Sequence, residues 1–221
     1  MRRVLAGESI ARYGDGELKM SRRNKRGDCN GIKSQPADER LSARLHGILR
    51  ESGSCLVGIP NIYSETPKGE FWGKFTGYAD LLSDTQPYVS SFITRPDSAP
   101  WINTPEYWAM VEALWKDRDV TLVRGSGKSL TSEDLTSART VREIIAPRQG
   151  AWAEYDALLE RIGTPERAIL CLGPTATVMA VDLCARGVHA IDMGHIGIFI
   201  RKHRRGESMW MSKDDKQRVM P

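Results

Sequence analysis

The chain has no apolar run approaching the roughly 20 residues needed to span a bilayer, so nothing in it reads as a membrane helix. Its opening Met1-Arg2-Arg3 is followed by too few apolar residues for a signal peptide. Cysteine is scarce: Cys29, Cys55, Cys171 and Cys184 form no Cys-x-x-Cys pair, which argues against a zinc site and suits reduced thiols in a cytosol. There is no internal repeat and no low-complexity segment, which argues against solenoids and long disordered linkers. The net charge of +4 is too small to mark a polyanion binder by itself, although the positive residues are clustered. What remains is 221 residues with 40% apolar content, enough for one domain with a substantial core.

Short apolar runs alternate with amphipathic ones along the whole chain. Strands are expected at the run ending before Gly14, at 54–60, 88–94, 119–124, 141–146, 168–173 and 188–193. Helices are expected over 38–50 with Asp38 as cap, 70–82 with Phe71, Trp72 and Phe75 as packing residues, from Thr104-Pro105-Glu106 onward, 152–162, and from Gly173 to about Arg186-Gly187. The late strands are continuously apolar instead of alternating, as strands buried on both faces are. The expected fold is therefore α/β: a Rossmann-like, mostly parallel sheet with helices on both faces. Residues 1–200 form one domain in this reading, and 201–221 a basic C-terminal tail that Met209, Trp210 and Met211 could dock.

Polar loops follow several of these strands, and in a parallel sheet all such loops share one edge. After the first, Asp15 and Glu17 are separated by one glycine, so a turn can aim both carboxylates into one pocket. Mg²⁺ and Mn²⁺ favour one or two carboxylates plus phosphate oxygens, which makes this turn a candidate for a metal–diphosphate. An Asp-Gly turn opening a helix with an acid in its first turn is equally ordinary structure, and the stretch alone leaves both readings open. The loop Gly125-Ser126-Gly127-Lys128-Ser129 fails the Walker A count, since the first glycine would fall at Leu122 inside a strand. Its N–H groups, Ser126 and Lys128 still suit phosphate oxygens, as do Thr175 and Thr177 at the next helix start. Asp192 and His195 follow the last strand, where the imidazole could bind metal, take a proton or cap a turn. Two basic runs, Arg22-Arg23-Asn24-Lys25-Arg26 and Arg201 through Arg204-Arg205, lie shortly after Glu17 and His195.

The combination of RYGDGEL (12–18), LVGIP (56–60), W-x-N-T (101–104), LCLGPTATVMAVDL (170–183) and AIDMGHI (190–196), in that order, resembles the GT-D type glycosyltransferases of bacteria and phages. The resemblance implies a nucleotide-sugar donor, usually UDP-linked, and a divalent metal, Mn²⁺ or Mg²⁺, held through the D-x-E motif that Asp15 and Glu17 match. Glu17 is then the direct ligand, with Asp15 acting through water and His195 as a further candidate ligand. Arg12, Gly14, Gly125, Ser126, Lys128, Thr175 and Thr177 would line the donor, and Asp192 and His195 would serve the transfer. The family's acceptors are glycans and glycoproteins. Two basic runs bracketing one pocket nevertheless tilt the expectation to a hydroxymethylated base in duplex DNA, whose phosphates Arg22, Arg23, Lys25, Arg26, Arg201 and Arg204 would grip, with a glycan or glycoprotein acceptor as the alternative. Paired carboxylates beside basic loops also serve metal-dependent nucleases, which would cut nucleic acid without a sugar donor.

Overall fold

The computed structural model describes residues 1–60, 76–98, 102–125 and 129–209. Seven strands appear where the apolar runs predict them: β1 (Ile10–Arg12), β2 (Leu56–Ile59), β3 (Tyr88–Ser90), β4 (Asp119–Arg124), β5 (Thr140–Ile145), β6 (Arg167–Cys171) and β7 (His189–Asp192). They form one sheet in the order β3-β2-β1-β7-β6-β4-β5. All its pairings are parallel. Period-two alternation sends neighbouring residues to opposite faces, and both faces are covered. Ala168 and Leu170 of β6 enter one core, and Ile169 between them enters the other.

The first core is closed by α2 (Asp15–Met20), α3 (Glu39–Ile48), α5 (Tyr155–Ile162) and α6 (Pro174–Ala185). The second is closed by α1 (Arg2–Leu5), α4 (Pro105–Glu112) and α7 (Ile196–Arg204). The expected caps are in place. Asp38 accepts the Leu41 N–H at 2.8 Å, and Thr104 accepts the Tyr107 N–H at 3.2 Å. Among the described residues no helix is long and apolar enough to cross a membrane.

Three elements differ from expectation. The strand at 88–94 stops after Ser90, whose hydroxyl accepts the Phe92 N–H at 3.1 Å and turns Ser91–Thr94 into a 3₁₀ helix. Of the expected helix at 70–82, Thr76–Leu81 is 3₁₀, and Phe71, Trp72 and Phe75 lie outside the described residues. Residues 196–204 form α7, because Ile196, Phe199 and Ile200 fall on one buried face at helical spacing. Arg201–Arg204 thus occupies a helix C-terminal turn, where positive charge opposes the negative end of the macrodipole. Met209 does pack into the core on the α7 side, while Trp210 and Met211 lie outside the described residues.

Gly197 permits the close approach of α7 to the chain after β4, since a Cβ there would lie 2.5 Å from the Ser129 carbonyl oxygen. A backbone atom cannot swing away as a side chain can. Gly197→Ala is expected to destabilise by about 1–3 kcal/mol, read by denaturant unfolding; an unchanged midpoint would show that α7 is free to shift.

The middle of the sheet has an unusual seam. β1 and β7 share a single register pair, Ile10 with Ile191. Side chains supply what the backbone ladder omits. The Ser9 hydroxyl donates to the Val188 carbonyl at 3.1 Å and accepts the Ala190 N–H at 2.9 Å. At the other end, the Asp192 carboxylate accepts the Arg12 N–H at 3.2 Å. α6 lies across the seam and packs on both strands. β1 then leads into α2 on one face and β7 into α7 on the other. That divergence opens a crevice at the carboxyl ends of β1 and β7, the switch point where open α/β sheets take ligands.

Candidate active site at the β1–β7 switch point

Two short segments build the crevice. After β1 the backbone extends through Gly14 and turns into α2, whose first residues are Asp15, Gly16 and Glu17. The Glu17 side chain reaches back to accept the Gly14 N–H at 2.8 Å, which fixes the carboxylate at the helix start. Gly16 lies close under Ile32 of the loop that covers α2: a Cβ there would lie 2.9 Å from Ile32 Cδ1, a side-chain end that could shift aside. Asp15 is exposed and Glu17 half-buried.

From β7 comes Asp192, which is only 3% exposed. Its carboxylate accepts the N–H groups of Arg12 at 3.2 Å and Gly194 at 3.1 Å, and the Arg12 guanidinium lies 3.8 Å away. Arg12 is held further by donation from Nε to the Ser91 carbonyl at 3.0 Å. Gly194 has φ of 50°, and a Cβ there would lie 2.7 Å from Arg12 Nη1, so the glycine both takes the left-handed turn and makes room for the guanidinium. His195 follows, exposed at the N-cap of α7.

The electrostatics are set by too many carboxylates for the cations near them. Glu17 is pushed up from 4.5 to about 7, first by burial and then by the charge on Asp192. Burial also pushes Asp192 up, to about 6, although Arg12 and the two N–H donors oppose it. Arg95 forms the third wall. Burial and then the neighbouring Arg12 lower its guanidinium to about 10, while Asp15 pulls the other way. It is clamped by the Asp97 carboxylate through bonds of 2.8 and 2.9 Å.

The residues anticipated from the sequence divide into three groups. Arg12, Gly14, Asp15, Glu17, Asp192 and His195 come together at the crevice. Thr175 and Thr177 are also close, but both are fully buried with hydroxyls turned inward. Thr175 donates to Gln35 at 3.4 Å, and Thr177 donates to the Arg12 carbonyl at 2.9 Å. They brace the site and are closed off from a phosphate. Gly125 directly follows β4, two strands beyond β7 at the same edge, and Ser126 and Lys128 lie outside the described residues. The chain re-emerges at Ser129, against Gly197 near His195, which brings that loop's far flank to the crevice.

The basic runs are largely engaged within the fold. Arg22 pairs with Asp80, Arg23 with Glu39, and Arg201 with Asp134. Arg204 donates to the Asp134 carbonyl at 2.7 Å. Lys25 and Arg26 are exposed on the turn that follows Arg23. Arg95, Asp97 and Ser91 were not anticipated. The available signal was that Arg95 follows a predicted strand end, as Asp15 does.

Among the described residues no three His, Cys, Asp or Glu side chains converge on one point as a complete metal site. The donor set nonetheless fits a divalent cation that takes its remaining ligands from a diphosphate and water. Asp15 and Glu17 are adjacent, and the raised Glu17 carboxylate lacks a compensating positive charge.

Comparison with known proteins agrees with this geometry. The family described as the glycosyltransferase GT-D fold matches residues 10–217. A "Probable glycosyl transferase Gly" from Streptococcus gordonii is 31% identical over 86% of this chain and 30% of its own length. "Glycosyltransferase GlyD" from Streptococcus pneumoniae serotype 4 is 27% identical over 96% of this chain and 26% of its own. The chain therefore spans less than a third of these relatives. Among solved structures, one titled "The highly conserved domain of unknown function 1792 has a distinct glycosyltransferase fold" superposes with a TM-score of 0.78 at 27% identity, covering 95% of this chain and 82% of that one. "A New Glycosyltransferase (DUF1792) from Streptococcus sanguinis" gives the same TM-score and identity over 96% and 85%. With the family model matching residues 10–217 and solved members superposing over nearly the whole chain, the chain belongs to the GT-D family of glycosyltransferases.

Proposed function

We propose that the chain transfers a hexose from a UDP-linked donor to a hydroxyl of a glycan or glycoprotein. The observation that carries this reading is the excess of carboxylate at the switch point, above all the half-buried Glu17. Asp15 and Glu17 would hold Mn²⁺ or Mg²⁺, which when bound offsets charge developing on the departing diphosphate. Arg12, fixed by Asp192 and Ser91, presents a preorganised guanidinium to the same charge from beneath. Arg95 does so from the side. Asp192 is a positioning residue, too buried to reach an acceptor. Exposed His195 at the rim is placed to take the proton of the acceptor hydroxyl.

Duplex DNA as acceptor loses support from the ion pairs. A phosphate backbone requires free cations at its contact face, and four of the six anticipated basic side chains already have acidic or carbonyl partners. The names of the streptococcal relatives support sugar transfer and leave the acceptor open.

Incubation with Mn²⁺ and a panel of nucleotide sugars, followed by assay of released nucleotide, tests the donor half. Slow, cation-dependent UDP release is expected even without acceptor. Release from no donor, or cleavage of nucleic acid with cation alone, would overturn it. A gel shift with hydroxymethylated DNA at two salt concentrations tests the acceptor half. No salt-sensitive binding and no sugar on the DNA are expected; labelled DNA would reverse the choice.

A further inference from the structure

Residues 129–135 tie α7 to the sheet at a point away from the crevice. The Ser129 hydroxyl donates to the Cys171 carbonyl, at the end of β6, at 3.1 Å. The Ser129 carbonyl is met twice by one face of α7. Gly197 lies too close to it to admit a Cβ, and four residues later Arg201 donates to it from both Nη atoms at 3.4 Å. Arg201 also pairs with Asp134, whose side chain is only 3% exposed. Asp134 is itself held, accepting the Thr131 N–H at 3.0 Å and the Thr131 hydroxyl at 3.2 Å. Leu130 and Leu135 bury this segment in the same core as Phe199 of α7.

A helix gripped at one carbonyl from two successive turns cannot slide along its axis without breaking both contacts. At its N-cap, α7 carries His195. From the sheet side His195 is fixed through Gly194, whose N–H donates to Asp192 at 3.1 Å. The axial register of α7 is the second constraint on where the imidazole stands. Arg201 sets that register from about 9 Å further along the helix.

We propose that Arg201 and Asp134 are positioning residues for sugar transfer: by fixing the register of α7 they hold His195 where it takes the acceptor's proton. The inference rests on the reading of His195 as that base. A cation that the sequence offers to a phosphate is thus turned inward to a carboxylate and a carbonyl. A displacement of about 1 Å in a reacting group is enough to cost up to about 100-fold in rate. Asp15, Glu17 and Arg12, which would hold the donor, lie on β1 and α2, so donor binding should be indifferent to α7.

The experiment follows cation-dependent UDP release from the sugar nucleotide that the full chain hydrolyses, with water in place of the acceptor hydroxyl. It is run where circular dichroism shows every variant fully folded. Arg201→Met should lower kcat by about 10-fold or more and leave donor KM within about twofold. Arg201→Met with Asp134→Asn should do the same, and it does not leave the buried carboxylate without its nearest cation. Arg201→Lys should recover part of the loss. In a chain carrying His195→Ala the same changes should add almost nothing, as expected of residues that act through one group. An equal fold-loss in both backgrounds, a loss confined to donor KM, or a His195→Ala chain as active as wild type would overturn the proposal. The His195 imidazole resonances need no turnover: they should move in Arg201→Met while those of His46 and His189 stay, and an unmoved His195 signal would overturn it too. Absence of UDP release from the wild-type chain would count against the transfer reading instead.

Discussion

Glu17→Gln is expected to abolish sugar transfer while making the cation-free protein more stable. Replacing the carboxylate with an amide removes a ligand of the proposed cation site and should lower cation-stimulated turnover by about 100-fold or more. The stability effect follows from the raised folded-state value, from 4.5 to about 7. Between those values the folded protein binds more protons at Glu17 than the unfolded chain does, so stability falls as pH rises through that window and the penalty is complete above it. Asp192 acts in the same sense between 3.8 and about 6. His189 opposes both. Burial lowers it from 6.5 to about 4, so its contribution is lost as pH falls through that range. Cys184, lowered from 9.0 to about 5, opposes Glu17 across pH 6.5 to 8 as well, so the Glu17 contribution is read as the difference between wild type and the glutamine variant. In chelator at about pH 8, the glutamine variant should be more stable than wild type by roughly 1–3 kcal/mol, and by less at pH 6.5. Denaturant unfolding of both proteins at the two pH values decides it: a stability difference between them that does not grow from pH 6.5 to 8 contradicts the assignment.

Asp192→Ala should be the most damaging single change at the crevice. It leaves the Arg12 guanidinium buried beside Gly194 without its counter-ion, and two N–H groups without their acceptor. The expected loss is about 2–4 kcal/mol, because an isolated buried charge costs more than a pair contributes. Arg12→Met in the same chain should restore roughly 1–2 kcal/mol of it, whereas Arg12→Met alone destabilises. Additivity of the two single changes in a double-mutant cycle would show that the pair is not coupled. Turnover should fall with the stability-neutral part of the effect, seen in kcat at temperatures where each variant is fully folded.

The sheet was legible because each strand is a compact apolar run bounded by turn residues, and because continuous burial in β6 and β7 signals helices on both faces. The acidic turn was legible for the same reason: carboxylates after strand ends are unusual enough to stand out. Arg95 was hidden by its neighbourhood, since an Arg-Pro-Asp-Ser stretch reads as an ordinary loop and only the fold brings it beside Arg12. α7 was hidden by its own charges. Four of its nine residues are basic or histidine, and they mask three buried apolar positions. Thr175 and Thr177 show the limit of position alone: both stand at a helix start facing the right edge, yet both hydroxyls turn inward to hold Gln35 and Arg12. The basic runs fail as a guide for a related reason, because a sequence displays charge without displaying the partner that neutralises it.

Asp192 answers to two unrelated demands. At the crevice it fixes Arg12 and raises Glu17; in the sheet it replaces a missing rung between β1 and β7. An asparagine would offer one oxygen where two N–H groups need acceptors, and a glutamate would carry its carboxylate one methylene too far for the Arg12 amide. The alphabet thus leaves this position almost no synonyms. A chain that drifted away from sugar transfer would still be obliged to keep an aspartate there to keep its sheet whole, so the residue would outlast the chemistry it supports.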